Sequence, residues 1–125
     1  MKLLIVDDSR AARMLIKSIL LDYDPSLELS EAENGAVAVD LYEENHPDLV
    51  FLDLTMPVMD GYEALEKIKS ANPDALVVML TADIQQKSID RCMDLGAYRV
   101  LKKLPNKEIV YSLIDEIKDM ITGSA

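Results

Sequence analysis

Residues 48–53 read DLVFLD, an apolar run of branched and aromatic side chains that closes on a carboxylate. Its core, residues 49–52, shows no polar alternation, which fits a strand buried on both faces. Two further segments share the form. Residues 2–6 read KLLIV and lead into Asp7-Asp8, while residues 75–80 read ALVVML and lead into Thr81-Ala82, with Asp83 just after. A shorter run over 98–101 leads into Lys102-Lys103. At 27–30, Leu27 and Leu29 alternate with Glu28 and Ser30, as an edge strand covered on one face requires.

Helical patterns fill the gaps. Ser9 offers an N-cap to a helix over 11–21, broken at Asp24-Pro25-Ser26. Asn34-Gly35 turns the chain into a second helix marked by Val37, Ala38, Leu41 and Tyr42. It ends at His46-Pro47, because the residue before proline avoids the helical region. A loop, LTMPVMDG over 54–61, precedes a third helix over 62–70 with Leu65 and Ile68 inward. A fourth spans 84–95 with Gly96 as its C-cap, and places Cys92 on an apolar stripe with Ile89 and Met93. Asn106 caps the last helix, whose apolar residues run from Ile109 to Ile121 at steps of one, three and four. Five strands alternating with five helices predict an α/β fold, a parallel sheet covered on both faces and joined by right-handed crossovers.

Composition narrows the function. Of 125 residues, half are hydrophobic, enough for a real core and against a disordered chain. The net charge of −10 repels phosphate backbones and anionic lipid, so neither nucleic acid nor a membrane is an expected partner. One cysteine allows no internal disulfide, and no cationic, apolar leader follows Met1; the expected location is cytoplasmic. Residues 1–122 are expected to form one domain, followed by a short tail over 123–125.

In an open parallel sheet, ligands bind beyond the carboxyl ends of the strands. Asp7, Asp8, Asp53, Thr81 and Lys103 all fall there. Two carboxylates ~4 Å apart repel by about 4 kcal/mol at an effective dielectric of 20. Three such pairs rival the ~5–15 kcal/mol stability of a domain. The acids must therefore be spread out, partly protonated or neutralised by a cation. Oxygen-only ligands suit Mg²⁺, and a divalent ion together with an ammonium suits a phosphoryl group.

The ordered set resembles the receiver domain of two-component response regulators: Asp7-Asp8 after LLIV, Asp53 closing DLVFLD, Met56-Pro57 and Asp60-Gly61, Thr81-Ala82 after VVML, Gly96-Ala97, and a lysine after the fifth strand. The resemblance covers almost the whole chain. It implies a flavodoxin-like, doubly wound sheet of strand order 2-1-3-4-5. Asp53 is then the phosphoacceptor, taking its phosphoryl group from a sensor histidine kinase. Asp8 binds Mg²⁺ directly, Asp7 through water, and the backbone carbonyl of Thr55 completes the protein's share of the shell, with Asp53. Thr81 is the switch hydroxyl. Lys103, seven residues after Gly96, is the pairing lysine. The implied protein is not an enzyme but a phosphoacceptor that assists its own phosphorylation and dephosphorylation. It would be a monomer or weak dimer of chemotaxis-regulator type, with a downstream target, a phosphatase among the candidates.

Two positions depart from the family pattern. Leu104 stands where proline, with a cis bond, usually follows the lysine. A cis bond before leucine costs about 2.5–4 kcal/mol, so a trans Lys103-Leu104 bond and a rerouted loop are expected. Val100 stands where an aromatic switch residue is usual, with Tyr98 two residues back on the same expected strand face. Thr55 and Asp83 occupy positions that tune phosphoryl lifetime; Asp83 is placed to orient a water or to pair with a lysine. Other readings are weighed beside these. Asp7-Asp8 can be read as a solvated helix start, Thr81 as a plain N-cap, Lys102 and His46 as exposed, Cys92 as core, and Met56 and Met59 as exposed near the site. Rival functions are a receiver-like interaction module not regulated by phosphorylation, a Mg²⁺-dependent aspartyl-phosphate phosphohydrolase, and a flavin binder. The hydrolase lacks an acid-base carboxylate at Thr55, and the flavin binder lacks a phosphate loop after the first strand.

Overall fold

In a computed structural model, which describes residues 1–123, the chain alternates strand and helix throughout. The elements are β1 (Lys2–Val6), α1 (Arg10–Tyr23), β2 (Glu28–Ala32), α2 (Gly35–Asn45), β3 (Leu49–Asp53), α3 (Gly61–Ala71), β4 (Val77–Thr81), α4 (Gln86–Asp94), β5 (Arg99–Lys102) and α5 (Lys107–Thr122). The strands form one sheet in the order β2-β1-β3-β4-β5, every neighbouring pair parallel. This is the flavodoxin-like arrangement expected from the sequence. Of the tail, Ser124 and Ala125 lie outside the described residues.

Strand alternation builds two cores. Leu4, Val6, Val50, Leu52, Val77 and Met79 face one cluster with Ala38, Leu65, Ile68 and Cys92 of α2, α3 and α4. Leu3, Ile5, Leu49, Phe51, Val78 and Leu80 face the other, with Ile16 and Leu20 of α1 and Val110, Ile114 and Ile117 of α5. Every residue of β3 and of β4 is buried. Each large apolar side chain so enclosed contributes roughly 1.5–3 kcal/mol, and the sum fixes the register. That register brings Asp53 opposite Leu80 and Thr81 opposite Lys102, so the strand ends share one rim.

Caps set most boundaries. The side chains of Ser9, Asn34, Asp60 and Asn106 accept the backbone N–H of Ala12, Val37, Glu63 and Ile109, each satisfying a donor the helix start leaves open. His46 stops α2 in the left-handed region at φ 47°, donating its N–H to Tyr42 O. The helix start at α4 differs: its N-cap is Gln85, which makes no side-chain cap bond, so Thr81 is not that helix's N-cap. Tyr98 also departs from expectation. It precedes the paired part of β5 and packs toward α5, where its hydroxyl meets the Met120 sulfur, whereas Val100 packs into the opposite core. The apolar stripe of α5 is only partly covered, with Ile109, Met120 and Ile121 exposed. Among the described residues, no helix is long and apolar enough to cross a membrane.

Candidate functional site

Asp7 continues β1 by donating its N–H to Ala32 O at 3.1 Å. Its carboxylate accepts the Ser9 N–H at 2.8 Å, and Arg13 Nη1 donates to its carbonyl at 2.6 Å. The Ser9 N–H, at the N-cap of α1, thus holds the Asp7 carboxylate, and Arg13 of α1 holds its backbone. Asp53 ends β3 and is 5% exposed; Asp7 is 4% exposed, while Asp8 lies on the surface. Gly61 sits hard against Asp53: a Cβ there would lie 2.3 Å from the Asp53 carbonyl oxygen. Only glycine lets α3 begin this close to the acid.

The three expected acids converge. One carboxylate oxygen from each of Asp7, Asp8 and Asp53 lies within 4.8 Å of the others. Lys103 Nζ is 2.6 Å from Asp7 Oδ2 and 3.3 Å from Asp53 Oδ2. Thr81 ends β4, is buried, and its Oγ1 accepts the Asp83 N–H at 3.0 Å. Thr55 lies exposed on the β3–α3 loop. Beside Lys103 a hollow lined by Ala11, Ala12, Leu15 and Leu104 adjoins the rim.

The electrostatics show an unrelieved excess. Burial pushes the Asp53 carboxyl above its usual range, and the charge of Asp7 pushes the same way, against the opposing pull of Lys103. Burial alone would lower the Lys103 ammonium, but its bond to Asp7 and the charges of Asp53 and Asp7 outweigh that and raise it. Three carboxylates against one ammonium leave an excess of two negative charges. An all-oxygen donor set with that excess fits a hard divalent cation such as Mg²⁺.

Several expectations need correction. The Lys103–Leu104 peptide bond is cis, not trans. The Lys103 N–H is held by Thr81 O at 2.8 Å and its ammonium by Asp7 and Asp53. Tertiary contacts, not local preference, therefore set the chain path, and Lys103 reaches the rim without a rerouted loop. Among the described residues Asp83 pairs with no lysine at ion-pair distance; its carboxylate accepts from Ser88 Oγ at 2.7 Å and from the Gln85 N–H at 3.0 Å. These bonds, that of Ser88 first, hold its carboxyl below the usual range. Met56 is buried and Met59 half-buried, because the loop folds back so that Gly35 donates to Met59 O at 3.1 Å. Cys92 is core, and His46 and Lys102 are exposed, as expected. Sequence reading missed Ser88 and Arg13 as supports of the rim, and took Gly61 only as part of the Asp60-Gly61 motif. Gly61 had a signal in its place directly after Asp60 at a helix start; Ser88 and Arg13 had none.

Comparison with known proteins agrees with this geometry. The profile of the response regulator receiver domain matches residues 3–115. The chemotaxis protein CheY of Listeria monocytogenes is 47% identical over 97 residues, covering 78% of this chain and 81% of the relative. The CheY of Halobacterium salinarum is 37% identical over 123 residues, 98% of each chain. Among solved structures, a CheX-CheY-BeF3-Mg complex from Borrelia burgdorferi superposes with a TM-score of 0.86 at 28% identity, covering 94% of this chain and 88% of that one. The chain belongs to the response regulator receiver domain family, of CheY-like type.

Proposed function

We propose that this chain is a Mg²⁺-dependent phosphoacceptor of a two-component phosphorelay, with Asp53 as the residue modified. One observation carries it: Asp53, buried and raised in pKa, lies against Lys103 and within one 4.8 Å cluster with Asp7 and Asp8. In the transfer, an Asp53 carboxylate oxygen attacks the phosphorus of a phosphohistidine on a sensor histidine kinase. The new P–O bond forms as the N–P bond breaks, and the electron pair returns to the imidazole.

Asp7, Asp8, Asp53 and the Thr55 backbone carbonyl would hold the Mg²⁺, Asp7 through water; the ion, when bound, offsets the charge gathered by the carboxylates and the phosphoryl oxygens. Lys103 exchanges its bond to Asp53 for a phosphoryl oxygen, and the Thr81 hydroxyl donates to another. The added charge at the rim biases the domain between two states, and a downstream protein reads the difference. Residues 1–122 form the receiver unit that carries the phosphoryl group, a phosphoacceptor rather than an enzyme with a turned-over substrate. The partners are the kinase and a downstream target or phosphatase; nucleic acid and membrane are not among them.

Incubation with Mg²⁺ and acetyl phosphate, followed by intact mass measurement, tests this. The expected result is one phosphoryl adduct that disappears in Asp53→Asn and without Mg²⁺. Absence of an adduct on the unaltered chain overturns it in favour of an interaction module. Fast turnover of unrelated phosphate esters overturns it in favour of a phosphohydrolase.

A further inference from the structure

Three hydrogen bonds tie the end of β4 to the start of α4 through one residue. Asp83 gives its N–H to Thr81 Oγ1 at 3.0 Å. Its two carboxylate oxygens accept from the Gln85 N–H at 3.0 Å and from Ser88 Oγ at 2.7 Å. Ser88 is 8% exposed although it lies in the first turn of a surface helix. Among the described residues no side chain at the N-cap Gln85 caps this helix; the carboxylate of Asp83 instead takes the N–H of Gln85 itself and the Ser88 hydroxyl.

A threonine hydroxyl has one proton and two lone pairs. The Asp83 N–H occupies a lone pair of Thr81, which leaves the proton to point elsewhere. Among the described residues no side chain or backbone acceptor takes that proton, while Thr81 itself is 4% exposed and ends the strand beside β3 and Asp53. The bond from Asp83 thus leaves Thr81 a buried hydroxyl whose proton is free for a ligand at the rim.

We propose that Asp83 is a positioning residue of the phosphoryl site: clamped to Gln85 and Ser88, it holds its amide on Thr81 and so aims the Thr81 hydroxyl at the phosphoryl group, making the start of α4 part of that site. This rests on Asp53 being the phosphoacceptor. It also gives this chain a route from the phosphoryl group to α4 that needs no aromatic side chain at Val100, which packs into the core beneath α3 and α4. Occupancy at Asp53 and the position of α4 are then linked in both directions.

The test is the rate of Asp53 labelling by acetyl phosphate with Mg²⁺, in a double-mutant cycle of Ser88→Ala and Thr81→Ala. Removing the Ser88 hydroxyl is expected to slow labelling about fivefold, the weight of one ordinary hydrogen bond. Ser88→Thr, which keeps the hydroxyl, is expected to restore it. In the Thr81→Ala background, Ser88→Ala is expected to have no further effect, which a merely structural role would not produce. Labelling of Ser88→Ala at the unaltered rate, or an equal slowing in both backgrounds, overturns the proposal. No labelling of the unaltered chain overturns the phosphoacceptor reading, and this proposal with it.

Discussion

The two halves of the rim are built differently. At the ends of β1 and β3, Asp7 and Asp53 are each set by their own strand and locked by a neighbouring helix start, through Ser9 and Gly61. At the ends of β4 and β5, Thr81 and Lys103 depend on loops: the Asp83–Ser88 clamp for one, contacts to Thr81 O, Asp7 and Asp53 for the other. The carboxylates of the acidic half are held by the sheet and the helix starts behind it, whereas the hydroxyl and ammonium that answer them are held by bonds that cross a loop or the rim. A site that must change state is expected to keep its movable parts on the second kind of support.

Removing Lys103 breaks this comparison most strongly. Lys103→Met leaves two buried carboxylates without their counter-charge. Stability in chelator is expected to fall by about 3 kcal/mol, the low end for a buried pair, since 21% of the Lys103 side chain stays exposed. Denaturant titration reads this directly. An unchanged midpoint would mean that Asp7 and Asp53 do not need the ammonium.

Magnesium should act on the acidic half alone. At a concentration 100 times its dissociation constant, the ion is expected to add about 2.7 kcal/mol to the folded state, seen as a higher melting temperature. Asp8→Asn is expected to remove most of that gain. Ser88→Ala, on the other half, is expected to keep it. Loss of the gain in both variants would mean the halves are not separate supports.

A smaller effect comes from Asp53 without metal. Its carboxyl is raised in the folded state by burial and by Asp7. The folded form therefore holds its proton longer, and stability falls as pH climbs from the ordinary carboxylate range through the raised value. Asp53→Asn removes that loss. The variant is expected to melt higher than the unaltered chain at neutral pH in chelator, and the difference to vanish in acid. A lower melting temperature at neutral pH would show that the Lys103 bond outweighs the burial.

Smallest is a change away from the rim. His46 holds the left-handed C-cap of α2 at φ 47°, a conformation that glycine adopts without a Cβ penalty. His46→Gly is expected to gain about 1 kcal/mol or less and to leave Asp53 labelling unchanged. A change in labelling would extend the site's support beyond both halves.

What could be read from the sequence follows the same division. Apolar runs ending in Asp7 and Asp53 are local signals, and a parallel sheet puts such ends on one edge, so the acidic half is legible in the sequence; the run ending in Thr81 marks that residue's place but not its support. The supports of the other half are not local. The cis bond before Leu104 lies where local preference favours trans. Tyr98 packs on the opposite side of the sheet from Val100, which alternation counted along the sequence does not foresee. The Asp83–Ser88 bond spans a loop whose shape no periodicity encodes. On α5, the apolar pattern marks more residues than the core covers, since periodicity reports a face and not its depth.

The most direct measurement concerns where the phosphoryl group is attached. Borohydride reduction of the acetyl phosphate-treated chain converts an acyl phosphate carbon to an alcohol, and peptide mass mapping then locates the altered residue. Conversion of Asp53, and of neither Asp7 nor Asp8, is the predicted result. Conversion of Asp7 or Asp8, or none at all in a chain that carries Mg²⁺, contradicts the account.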